Sequence, residues 1–117
     1  MLVYLAFSFI VTHIPGPKFT EDELPTTIPL DKLFHFGGFA VMSFLVVHAL
    51  SRRIRHRLAV PLTVVLLSIY GVIDELTQPY FHRSADPMDF AADIAGIGVG
   101  IVIWLYLRQR SGGKAGP

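Results

Sequence analysis

Nine polar side chains crowd the ends of otherwise oily runs in this chain: Lys32 and His35; Asp74, Glu75 and Gln78; Arg83, Asp86, Asp89 and Asp93. Five of these are acids, set against Lys32 and Arg83. Carboxylates gathered at low dielectric do not all ionise without a compensating cation. Either some stay protonated, or His35 is charged, or a metal or cationic ligand binds. A carboxyl that keeps its proton suits general acid–base work, so His35, Asp74, Glu75 and Asp89 are the candidate catalytic residues. Lys32, Gln78, Arg83, Asp86 and Asp93 are the candidate ligand-binding residues, because a guanidinium can grip a phosphate through two hydrogen bonds. The bland alternative is structural: Asp74, Glu75 and Gln78 lock helices together by hydrogen bonding. In the same way His35 is satisfied by Asp89 or Asp74, and Arg83 ties the outer turn to an acid. Histidine with carboxylates is also a donor set for Mg²⁺, Mn²⁺ or Zn²⁺. No compact ligand motif such as H-E-x-x-H occurs, so the sequence calls for no cofactor. Ser84 has no recognisable nucleophile context.

The elements that must position these residues follow from composition. The chain has 117 residues, enough for one domain. Hydrophobic residues make up 52% and charged residues 16%, against about 25% charged in a typical soluble domain. A soluble domain this small cannot hide so much apolar surface. The net charge of +1 argues against a broad nucleic-acid surface. The absence of cysteine excludes disulfides, thiolate metal sites and a cysteine nucleophile.

Four apolar stretches stand out, at about 1–14, 33–50, 58–76 and 90–107. Crossing the ~30 Å hydrocarbon layer takes roughly 20 helical residues, which the last three approach. The first is short; it lacks a basic leader and a small-residue cleavage site, so a retained span is expected rather than a signal peptide. The expected fold is all-α, a four-helix transmembrane bundle over 1–110, with 111–117 a disordered tail. The arginines at 52, 53, 55 and 57 and those at 108 and 110 fall on one side of such a bundle. The positive-inside rule makes that side, and both termini, cytoplasmic.

Depth then follows from helical rise. His35 lies 17 residues from Arg52, Asp74 lies 17 from Arg57 and Asp93 lies 15 from Arg108. At ~1.5 Å per residue these are roughly 25, 25 and 22 Å. Glu75 and Asp89 fall in the same outer slab, with Lys32, Arg83 and Asp86 just above it. Phase agrees: Asp86, Asp89 and Asp93 share one helical face, continued inward by Gly96 and Gly100. Gly71, Asp74 and Gln78 make a matching stripe, as do Asp31, His35, Gly38 and Met42. Three polar stripes are therefore expected to meet in an outward-facing pocket. Trp104 and Tyr106 read as inner interfacial anchors, and His13, His48, His56 and His82 as interfacial or loop residues. The inner halves offer no second polar site, which argues against transport.

Asp31-Lys32-x-x-His35-Phe36, then Tyr70-Gly71-x-x-Asp74-Glu75-x-x-Gln78, then Arg83-x5-Asp89-x3-Asp93-x2-Gly96 resembles the VanZ-like family over residues 31–104. Members often carry Asn where Asp93 stands, and an aromatic hydroxyl near Phe39. The resemblance implies a small integral protein of the bacterial cell membrane, with its polar site on the extracytoplasmic side. The family's founding member is linked to resistance to the glycopeptide antibiotic teicoplanin. By analogy the partner is a membrane lipid or lipid-linked cell-wall precursor, not nucleic acid. Three readings follow: a protein binding such a head group, a membrane-embedded acid–base hydrolase or transferase acting on it, or an assembly partner of cell-wall machinery.

Overall fold

No proline interrupts residues 30–51, so the backbone ladder runs unbroken there, and in lipid an unpaired peptide group costs several kcal/mol. That cost overrides the weak helix preference of Gly37 and Gly38. The computed structural model describes residues 2–4, 6, 30–81 and 87–113. Among the described residues the protein is all-helical, with no strand, as the apolar runs imply. The three long helices are α1 (Leu30–Ser51), α2 (His56–Thr77) and α3 (Pro87–Gly113), followed in the case of α2 by a 3-10 turn over Gln78–Phe81. All three are long and apolar enough to cross a membrane. The N-terminal residues 2–4 and 6 are also helical, and the Tyr4 hydroxyl donates to the Gly38 carbonyl at 3.2 Å. Most of the first apolar stretch lies outside the described residues.

The boundaries have local causes. At the end of α1 the amides of Arg53 and Ile54 both bond the Leu50 carbonyl at 2.9 Å, closing the helix with a tight turn. Arg55, with extended backbone (φ −59°, ψ 137°), then starts α2 without a side-chain cap. α2 tolerates Pro61 near its start, and Pro79 tightens the backbone beyond Thr77 into the 3-10 turn. Pro87 opens α3, where its missing N–H costs nothing.

α1 packs most extensively against α3, and α2 lies against both. Two glycines explain the close α1–α3 approach. A Cβ on Gly96 would collide with the Phe36 carbonyl oxygen, and one on Gly100 with Ser43 Oγ and the Ala40 carbonyl oxygen. This is small-residue packing of the kind membrane helices use in place of a hydrophobic drive. Below the polar level the core is Phe39, Met42, Val46, Leu67, Ile97 and Ile101, with Val47, Ala59 and Trp104 nearer the arginine end. Only 33% of each spanning segment is buried within the chain. The rest is an apolar exterior that includes Val65, Ile69, Ile73 and Val102. An apolar outside around a polar inside fits lipid as solvent and marks a multi-pass membrane protein.

Three expectations change in detail. Trp104 is 5% exposed and packs on Val47 and Ala59, so it belongs to the core rather than the interface. Its ring still meets the water side through Arg108, whose guanidinium carbon sits 5.4 Å from the centroid. Tyr106 is exposed, with Arg110 at 5.2 Å. Gly38 has nothing within 4 Å of an added Cβ, so its place on the α1 stripe is not one of close helix approach. α3 continues to Gly113, three residues into the expected tail.

Candidate functional site

The N-terminal end of α1 presents Lys32, and one turn deeper His35, to the polar face of α3. His35 is 3% exposed. Its Nδ1 lies 2.9 Å from Asp93 Oδ1 and its Nε2 lies 3.8 Å from Asp89 Oδ2. A carboxylate only accepts, so an ionised Asp93 fixes the proton on Nδ1 and directs Nε2 toward Asp89. Lys32 Nζ, less buried, stands 3.4 Å from Asp89 Oδ1. Lys32, Asp89, His35 and Asp93 thus form one continuous line of alternating basic and acidic side chains between two helices.

The third wall is α2. Asp74 is fully buried, and its Oδ2 accepts a hydrogen bond from Gln78 Nε2 at 3.3 Å. These residues are four apart on one helix face. Glu75, beside them, reaches the α1–α3 line: a ring nitrogen of His35 and one carboxylate oxygen each from Glu75 and Asp89 all lie within 4.8 Å of one another. Gly71 makes room for this meeting, since a Cβ there would stand 3.3 Å from Asp93 Oδ2 and 3.4 Å from the Phe90 ring. Phe39 lies 3.5 Å from the same point and stacks at a tilt on Tyr70, centroids 5.8 Å apart.

Seven of the nine residues singled out from the sequence thus converge: Lys32, His35, Asp74, Glu75, Gln78, Asp89 and Asp93. Arg83 and Asp86, expected at the mouth, lie outside the described residues, as do His13 and His82. Of the expected partners of His35, Asp89 does lie beside it, at 3.8 Å, but Asp93 is nearer, at 2.9 Å. The reason is that Gly96 and Gly100 draw α3 onto α1, so the acids one and two turns above them on α3 face His35. Two more histidines are elsewhere. His48 is exposed and stacks on Phe44, and His56 Nδ1 lies 3.1 Å from Arg108 at the arginine end. Sequence reasoning passed over Phe39 as a site residue, although it sits four residues after His35 on the same face. Tyr4 carried no signal at all.

Electrostatically the cluster is costly. Among its described members four carboxylates face one lysine and one histidine, an excess of two negative charges even with His35 protonated. Two fully buried acceptors, Asp93 Oδ2 and Gln78 Oε1, have no hydrogen-bond partner among the described residues. Such atoms ordinarily find donors, waters or ions. The arrangement can pass protons along His35, Asp89 and Asp93, hold a cation, or accept hydrogen bonds from hydroxyl or amine groups. Beside it, between α2 and the start of α3, an open groove of about 240 Å³ is lined by Val72, Glu75, Leu76, Pro87 and Phe90. Glu75 is its one ionisable lining residue, so the groove joins lipid-facing surface to the polar cluster.

A protein-family model described as VanZ/LLP1 matches residues 1–108. No curated protein and no solved structure matches the chain.

Proposed function

The chain belongs to the VanZ/LLP1 family, and from that premise we propose that it is a multi-pass protein of the bacterial cell membrane whose polar cluster binds the head group of a lipid-linked cell-wall precursor or a related envelope lipid. One observation carries the reading: a buried polar cluster from three helices adjoins an apolar, lipid-facing groove through the shared side chain of Glu75. An acyl or isoprenoid chain fits the groove, and the head group meets the cluster. Lys32 and Arg83 engage phosphate, and the acids and Gln78 accept hydrogen bonds from sugar or peptide groups. Glycopeptide resistance is consistent with this role, because such drugs target the same lipid-linked pool.

The site faces the extracytoplasmic side if the positive-inside rule holds. Reporter fusions at residues 52–57 are then active only as cytoplasmic reporters; an extracytoplasmic signal there inverts the topology and removes the outer-leaflet lipid from reach. Native mass spectrometry tests binding directly. Arg83→Ala weakens precursor binding about tenfold or more, as expected for the loss of a charge-assisted phosphate contact. Equal occupancy in variant and wild type counts against the assignment.

A second reading is favoured by the pinned ring of His35. With Nδ1 held by Asp93, Nε2 faces Asp89 at 3.8 Å, a gap that one water or a small side-chain rotation closes to the reach that proton transfer needs. On this reading the protein is a hydrolase or transferase acting on the same lipid, with His35, Asp74, Glu75 or Asp89 as acid or base. Lipid analysis of cells with and without the protein separates the two: an altered precursor marks an enzyme, and an unaltered one marks binding.

A further inference from the structure

We infer that His35, Glu75 and Asp89 form a binding site for one divalent transition-metal ion, with Asp93 as the residue that orients the histidine. The inference goes beyond head-group binding and does not need a lipid to be present.

The donors come from three helices and are all buried, with His35 at 3%, Glu75 at 9% and Asp89 at 1% exposure. Their ligand atoms lie within 4.8 Å of one another. Donors held ~2.0–2.2 Å from one ion stand roughly 3–3.6 Å apart. The 3.8 Å between His35 Nε2 and Asp89 Oδ2 therefore needs to close by only a few tenths of an ångström, and side-chain rotation of Glu75 covers the remainder. One imidazole with two carboxylates suits Zn²⁺ or Mn²⁺.

Second-sphere geometry points the same way. Metal-bound histidines commonly donate their other ring N–H to a carboxylate, which fixes the tautomer and aims the free nitrogen at the ion. Asp93 does this to His35 Nδ1 at 2.9 Å. An independent observation is the orphaned acceptor on that same carboxylate. Asp93 is fully buried, and its Oδ2 has no hydrogen-bond partner among the described residues. It points toward Gly71, one turn from Glu75 on α2. The imidazole stands between this carboxylate and an ion on Nε2, so the ion acts on Asp93 through the ring, by polarising the Nδ1–H that Asp93 accepts. As a ligand His35 is neutral, so four ionised carboxylates against Lys32 leave three negative charges; a divalent cation offsets two of them, charge that a low-dielectric site otherwise has to neutralise by protonation.

The test uses full-length protein in detergent, stripped with a chelator and titrated calorimetrically with Zn²⁺ and with Mn²⁺. The expected result is one ion per chain. Glu75→Gln and Asp89→Asn each weaken binding at least about tenfold, and Asp93→Asn weakens it about 10- to 100-fold. His48→Ala, at an exposed histidine outside the cluster, changes nothing. Electron spin-echo spectroscopy of Mn²⁺ bound to the wild type shows coupling to a single histidine nitrogen, a readout that does not depend on any variant folding. Failure of helical wild type to take up either ion overturns the proposal. So does unchanged affinity in Glu75→Gln, or bound Mn²⁺ without nitrogen coupling. None of these negative results affects precursor binding, which is measured separately.

Discussion

Gly100→Val lowers the stability of the folded bundle by about 3 kcal/mol, at the upper end of what overpacking costs, and sharply reduces the yield of monodisperse protein. A Cβ at position 100 meets Ser43 Oγ, which can rotate away, and the Ala40 carbonyl oxygen, which cannot. The extra methyl groups of valine deepen the clash, so α3 has to withdraw from α1. The control is Gly98→Val, two residues earlier, where an added Cβ has nothing within 4 Å. Thermal unfolding of both variants in detergent is the measurement. Matching midpoints would show that the two helices do not rely on this contact. Gly96→Val is expected to behave like Gly100→Val, because the Phe36 carbonyl is equally fixed.

The second large effect is at His35. His35→Leu roughly keeps the volume but removes the ring nitrogen 2.9 Å from Asp93 and faces Asp89 with an apolar side chain. Breaking a buried ion pair from one side costs about 3–5 kcal/mol, since the remaining charge stays desolvated. Removing both partners together is milder, so the double variant His35→Leu with Asp93→Leu should recover part of the loss. A double-mutant cycle by chemical denaturation in detergent measures the coupling. Additive losses would mean that the 2.9 Å contact contributes little, and that the cluster is held by its surroundings instead.

Much of this organisation was legible before any coordinates. Lipid tolerates only self-satisfied backbone, so long apolar runs had to be helices, and their ends fell within a few residues of the observed ones. Counting residues from the arginines put His35, Asp74, Glu75, Asp89 and Asp93 at one depth, and helical phase put them on inward faces. The pairing within the cluster was not legible. Phase places Asp89 and Asp93 on the same face, and the choice between them depends on the depth at which α3 seats on α1. That depth is set by collisions at Gly96 and Gly100, which are tertiary facts. Trp104 was misread for a related reason. Its proximity to Arg108 suggested an interfacial anchor, whereas the small Ala59 of α2 leaves space for the indole to turn inward. Tyr4 could not be read because a hydroxyl seeking a carbonyl leaves no pattern in sequence.

The pairing of His35 with Asp93 spans 58 residues of chain. At a synthesis rate of about 5–20 residues per second, the carboxylate leaves the ribosome roughly 3–12 s after the imidazole. Through that interval α1 waits in or beside the insertion machinery before its principal acidic partner has been made. Asp74 and Glu75 arrive first, as α2 follows it. Assembly of the cluster therefore waits for α3, and a nascent chain halted before it leaves α1 with a polar face that lipid alone does not shelter.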